Sequence, residues 1–136
     1  MHKLIIEVGW SGRNFSCGWN APDAGAVVAT GKTLADAKEQ FASALNFHIE
    51  GMVEDGETLP EWLANGDYEL QYSLSAAALI RSAEEYTTMA AISRASGINP
   101  KQLSHYANGT KTPRPAQRSR ILEGLHKIGK ACLAIC

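Results

Sequence analysis

Thr88-Met89-Ala90-Ala91-Ile92-Ser93-Arg94-Ala95, then Ser96-Gly97-Ile98, then Asn99-Pro100-Lys101-Gln102-Leu103-Ser104-His105-Tyr106-Ala107-Asn108-Gly109, form one unbroken run of sequence. Residues 88–95 predict a helix of two turns, and Ser96-Gly97 breaks it. Ile98 follows as an apolar plug. Asn99 is a good N-cap, and Pro100 fits the first helical position, where its missing N–H costs nothing. The second helix then runs to Asn108-Gly109, whose glycine supplies a left-handed cap. Two short helices joined this tightly need a glycine turn, with Ile92, Ile98 and Leu103 meeting inside to lock the angle.

What such an arrangement presents is the outer side of the second helix. Lys101, Gln102, Ser104 and His105, with Asn99 at the helix start, project together and carry amide, hydroxyl and cationic groups that pair with base edges in a major groove. Lys111, Arg114, Arg118 and Arg120 follow on the loop and the next helix, at positions suited to phosphates. The plain alternative is a helical hairpin used for packing, its polar residues facing water. Charge favours the first reading. Residues 1–75 hold 11 acids and 4 bases, whereas residues 76–136 hold 3 acids and 9 bases, so the overall −1 conceals a basic half suited to a polyanion.

Upstream, the pattern changes to period two. Leu4, Ile6 and Val8 share one strand face, and Phe15, Cys17 and Trp19 share a face of a second strand. Trp10-Ser11-Gly12-Arg13 joins these strands as a hairpin turn. After Pro22-Asp23-Ala24-Gly25, a third strand passes Val27 and Val28 and ends at Gly31. Thr33 opens a helix with Asp36 as its capping partner, and Leu34, Ala37, Phe41, Leu45, His48 and Met52 form its apolar stripe. Glu54-Asp55-Gly56 stops that helix. A loop with Pro60 and Trp62 leads to a last strand, Asp67 to Leu74, with Tyr68, Leu70, Tyr72 and Leu74 on one face. Helical signals resume at Ser75, a candidate N-cap for the helix that follows. The expected class is therefore α+β: a β-β-β-α-β domain over residues 1–74 and an all-α domain over residues 75–136.

Composition narrows the function classes. Forty-five per cent hydrophobic and 20% charged residues suit an ordinary folded domain. No apolar run approaches the roughly 20 residues that span a bilayer, and Glu7 interrupts the first apolar segment where a signal peptide stays apolar, so the expectation is a cytoplasmic protein with no membrane partner. Cys17, Cys132 and Cys136 lack Cys-x-x-Cys spacing and read as reduced thiols. No second ligand stands near His48, so neither a metal nor another cofactor is expected. A metal-dependent nuclease needs converging carboxylates, yet Glu7 lies opposite the buried strand face and Asp36 and Glu39 fall off the helix stripe. No nucleophile-histidine arrangement or phosphate loop occurs either, and the chain is not read as an enzyme.

Gly31-Lys32-Thr33-Leu34-Ala35-Asp36-Ala37, the segment from Ala44 to Glu57 and Leu59-Pro60 resemble the N-terminal domain of HicB-type antitoxins. Gly97 to Gly129, including Lys101-Gln102-Leu103-Ser104-His105-Tyr106 and Pro113-Arg114-Pro115-Ala116-Gln117-Arg118, is similar to the Cro/repressor-type helix-turn-helix that some of them carry. The resemblance implies a partial ribonuclease-H-like N-terminal domain that masks a small HicA-type mRNA-cleaving toxin, and a C-terminal helix-turn-helix that binds the operon's own operator as a homodimer or higher even oligomer. On that reading Trp19 and Asp23, from the second strand and its loop, are candidates for the toxin face, although Trp19 suits a core position equally. The chain departs from the Cro/repressor pattern at two places: Met89 and Pro100 stand where glutamines often open the two motif helices, which leaves Gln102 and His105 as the base-reading candidates. A different reading keeps the DNA-binding half in a solitary regulator, with Trp10, Trp19 and Trp62 lining a small-molecule pocket in the other.

Overall fold

β1 (His2–Trp10) buries Leu4, Ile6 and Val8 and exposes the residues between them, so period-two patterning becomes a one-sided strand. In the computed structural model, which describes residues 1–136, β1 pairs antiparallel with β2 (Phe15–Ala21), and β2 with β3 (Gly25–Gly31). The β1–β2 connection is closed by Ser11, whose N–H donates to the Asn14 carbonyl over 2.9 Å. The chain is mixed α+β, with one four-stranded sheet and six helices, and its contacts divide it into two units, Met1–Ser75 and Ala76–Cys136. Ser75 belongs with the first, since its N–H donates to the Val8 carbonyl over 2.9 Å.

In the first unit, α1 (Leu34–Glu54) starts where Thr33 Oγ1 accepts from the Asp36 N–H over 3.0 Å. Its stripe buries Ala37, Phe41 and Leu45 fully, while Leu34, His48 and Met52 are half-buried. His48 donates from Nε2 to the Ala24 carbonyl over 2.6 Å, which ties the helix to the β2–β3 turn and accounts for a histidine in that stripe. The loop expected around Pro60 is corrected in part: Glu61–Ala64 form a one-turn helix, α2, which buries Leu63 and stacks Trp62 on His2 at 4.2 Å. So short a turn leaves no periodicity to detect.

β4 (Tyr68–Leu74) pairs with β1 in parallel, giving the order β3-β2-β1-β4. A parallel partner requires a crossover, and α1 provides it. The helix lies over β3 and β2, so Tyr68, Leu70, Tyr72 and Leu74 share a face but stay half-buried. The Lys38 ammonium sits 4.8 Å from the centre of the Tyr72 ring.

The second unit contains α3 (Ala76–Ala83), α4 (Met89–Ser96), α5 (Pro100–Ala107) and α6 (Pro115–Leu133). Ala76, Ile80, Ile92, Ile98, Leu103, Tyr106, Ala107 and Ile121 form its buried core. α4 and α6 approach closely because Gly124 has no side chain: a Cβ there would lie 2.9 Å from the Ser96 nitrogen. No helix in the chain is long and apolar enough to cross a membrane.

Candidate nucleic-acid interface

Thr88 opens α4 by accepting the Ala91 N–H on its hydroxyl over 3.1 Å. The helix ends at Gly97, whose φ of +74° is a conformation that costs an L side chain. Two serines stitch the turn that follows. Ser93 Oγ donates to the Ile98 carbonyl over 2.5 Å, and the Ile98 N–H donates to Ser96 Oγ over 3.3 Å. With its backbone satisfied on both sides, Ile98 is only 3% exposed. Asn99 then caps α5, its Oδ1 accepting from the Gln102 N–H over 2.8 Å. The Asn99 side-chain oxygen is thereby engaged in the cap.

α5 turns Leu103, Tyr106 and Ala107 inward. Its other side carries Lys101, exposed, and Gln102, Ser104 and His105, each half-buried. Gln102 Nε2 donates to the Tyr106 hydroxyl over 2.8 Å, so the amide is anchored with its oxygen as the remaining acceptor. Ser104 Oγ accepts a long bond of 3.4 Å from Asn108 Nδ2. Beyond the helix, the Thr110 N–H donates to the His105 carbonyl over 3.0 Å and the Lys111 N–H to the same oxygen over 3.3 Å, which fixes where the basic loop begins. Lys111 and Arg114 are exposed, Arg118 is half-buried, and Arg114 occupies the cap position of α6. Asn99, Lys101, Gln102, Ser104, His105, Lys111, Arg114 and Arg118 thus lie on α5, the loop after it and the first turn of α6.

Arg120 belongs elsewhere. Two positions after Arg118 is about 200° around a helix, and Arg120 lines a groove with Ala95, Ser96, Glu123, His126 and Lys127. Sequence reasoning also missed Arg81 on α3. Its Nε donates to the Ala107 carbonyl over 3.1 Å, its Nη2 to Asn108 Oδ1 over 2.6 Å, and its Nη1 to Glu84 over 3.0 Å. The guanidinium therefore satisfies the C-terminal end of α5, where helix carbonyls lack partners. No local signal marks that role, because the partners are 26 and 27 residues away.

In the first unit, Trp19 is half-buried and lines a shallow groove with Ile5, Glu7, Gly18 and Val28 on the sheet. Asp23 is exposed in the β2–β3 turn and does not line that groove. The tryptophans do not converge on one pocket. Trp10 packs edge-on against Phe15 at 5.0 Å, and Trp62 stacks on His2. Trp10 and His2 are opposite ends of β1, about 26 Å apart at the usual strand rise.

No family model matches the chain. A segment of 42 residues, 31% of the chain, is 43% identical to an uncharacterized 14.9 kDa protein in the rep-hol intergenic region of Haemophilus phage HP1 (strain HP1c1). The match spans about a third of that relative, 32% of its length.

Proposed function

We propose that the chain is an antitoxin of the HicB kind that represses its own operon through the second unit. The observation that carries this reading is the side of α5 bearing Lys101, Gln102, Ser104 and His105, continued by the cations Lys111, Arg114 and Arg118. α4, the Gly97–Asn99 turn and α5 act as a helix-turn-helix, with α5 entering the major groove. Gln102 and His105 read base edges while the basic loop and α6 hold phosphates. The first unit, read as a partial ribonuclease-H-like sheet, masks a small basic mRNA-cleaving toxin of the HicA kind. The charge split supports both assignments, with 11 acids against 4 bases in residues 1–75 for a cationic protein and 3 acids against 9 bases in residues 76–136 for DNA. The chain works in the cytoplasm as a homodimer or higher even oligomer, carries no cofactor and catalyses no reaction.

Fluorescence anisotropy on a labelled fragment of the gene's own upstream DNA, against a scrambled fragment at near-physiological salt, tests the DNA half. Clear preference for the upstream fragment is expected, and equal or no binding overturns it. The other half is tested by co-expression with the product of an adjacent small basic reading frame: rescue from growth arrest is expected, and continued arrest with both proteins present overturns it.

A further inference from the structure

β3 is an edge strand without the features that defend an edge. The order β3-β2-β1-β4 leaves the outer side of Gly25–Gly31 without a neighbouring strand. Gly25-Ala26-Val27-Val28-Ala29-Thr30-Gly31 holds no charge and no proline, and its pairing with β2 runs from end to end without a bulge. Beside this edge, α1 overhangs a groove of about 480 Å³ lined by Val27, Val28, Ala44, Phe47 and Gly51, with Asp55 and Glu57 also on its wall. Phe47 is 79% exposed and Val28 69%. An aromatic ring left this open beside an unpaired strand marks a surface that something covers.

We infer that a second copy of this chain covers it, with β3 pairing against β3 about a two-fold axis at Val28 and the two α1 helices side by side across the seam. Placement favours a second copy. α1 lies over β3 and β2 and chiefly over β3, so the helix stands close to the open edge. The symmetry then sets the two α1 helices side by side across the seam; His48 stands beside Gly25 and Ala37 beside Gly31, so Ala44 lies next to the axis and is small enough to let Phe47 of the other copy approach.

Charge favours the same occupant. Val28 is the middle of the seven-residue strand, so antiparallel pairing centred there sets Gly25 opposite Gly31. Lys32 of each copy then reaches the Asp23–Ala24 turn of the other. Asp23 and Lys32 are the nearest charges on either side of β3, and the symmetry pairs them with opposite sign twice. The inference rests on the first unit alone and stands whether or not the second unit binds DNA.

The test uses the full chain with Cys132→Ser and Cys136→Ser, which leaves buried Cys17 as the only native thiol. Val28→Cys in this background should give an interchain disulfide on mild oxidation, since the two Cα atoms meet at about 5 Å. Thr30→Cys, which faces Ala26 of the other copy in this register, should not. In sedimentation velocity the native chain should be dimeric or larger, and Phe47→Glu should weaken self-association on the order of 30-fold or more. Because Phe47 is exposed, this variant keeps its fold, and circular dichroism verifies that. A chain that stays monomeric at its highest soluble concentration overturns the inference. So does self-association that Phe47→Glu leaves unchanged, or a Val28→Cys chain that crosslinks no better than Thr30→Cys.

Discussion

Gln102 and His105 share the outer side of α5 but are held differently. Gln102 is anchored through Tyr106, whereas His105 has its backbone carbonyl engaged by the following loop. An anchored amide discriminates bases better than a free one, because less side-chain freedom is lost on contact. If Gln102 reads a base as proposed, Gln102→Ala should cost about 1–3 kcal/mol of preference for the upstream DNA over scrambled DNA, and Tyr106→Phe should reproduce part of that loss while leaving the amide in place. Competition anisotropy with both fragments measures each. Arg81→Ala should destabilise the second unit by about 1–2 kcal/mol, since it leaves the carbonyl of Ala107 and the Asn108 side chain without a donor they now have; chemical denaturation followed by circular dichroism reads it. Cys17 behaves differently from its two exposed counterparts. Burial pushes its thiol above the ordinary 9.0, with Lys38 pulling the other way, so a thiol reagent at neutral pH should titrate Cys132 and Cys136 quickly and Cys17 only on unfolding.

Elements carry the next set of consequences. α6 is held against α4 at Gly124, where an added methyl would press on the Ser96 backbone rather than on a side chain able to swing away. Gly124→Ala gains helix propensity on paper, yet overpacking of about 1–3 kcal/mol should dominate, so its melting temperature should fall. The same contact ties α6 to the turn that aims α5, and the variant should also lose affinity for DNA. Patterning made the stripe of α1 readable because 3.6-residue periodicity persists over 21 residues. Only its middle, Ala37, Phe41 and Leu45, is fully buried. α2 escaped notice for the opposite reason: four residues contain a single turn. Tyr68, Leu70, Tyr72 and Leu74 were legible as one face of a strand, but their half-burial follows from where α1 lies across the sheet, which strand periodicity does not encode.

For the molecule as a whole, the consequential feature is the division of charge between the two units. If residues 76–136 bind phosphates, Lys111→Ala and Arg114→Ala should weaken upstream and scrambled DNA alike, and each should reduce the slope of log affinity against log salt by about 1. A changed preference with an unchanged slope would reassign these two residues to base reading. High pH should act on the first unit. Burial raises the Tyr68 and Tyr72 phenols above 10.0, with nearby Cys17 adding to the second, and burial raises Cys17 itself above 9.0. All three favour their neutral forms when folded, so their contribution is complete below the ordinary values and is lost as pH rises through the shifted ones. The three tryptophans all lie in residues 1–75, so tryptophan fluorescence isolates that unit. Its melting midpoint should decline as pH climbs past 9.0; a midpoint that stays level there would contradict the burial of these groups.

The sequence by itself determined which segments become strands and helices, the single turn of α2 excepted, together with the caps at Thr33 and Asn99, the turn at Gly97 and the side of α5 that faces outward. Each depends on hydrogen bonds and periodicities contained within a few neighbouring residues. Tertiary structure alone decided that β4 runs parallel to β1, that α1 covers β3 and β2 while leaving β4 half-open, that the three tryptophans stand apart, and that Arg81 closes the end of α5. Those outcomes rest on contacts between residues tens of positions apart, where chain path and packing choose the partners and local propensity has no influence.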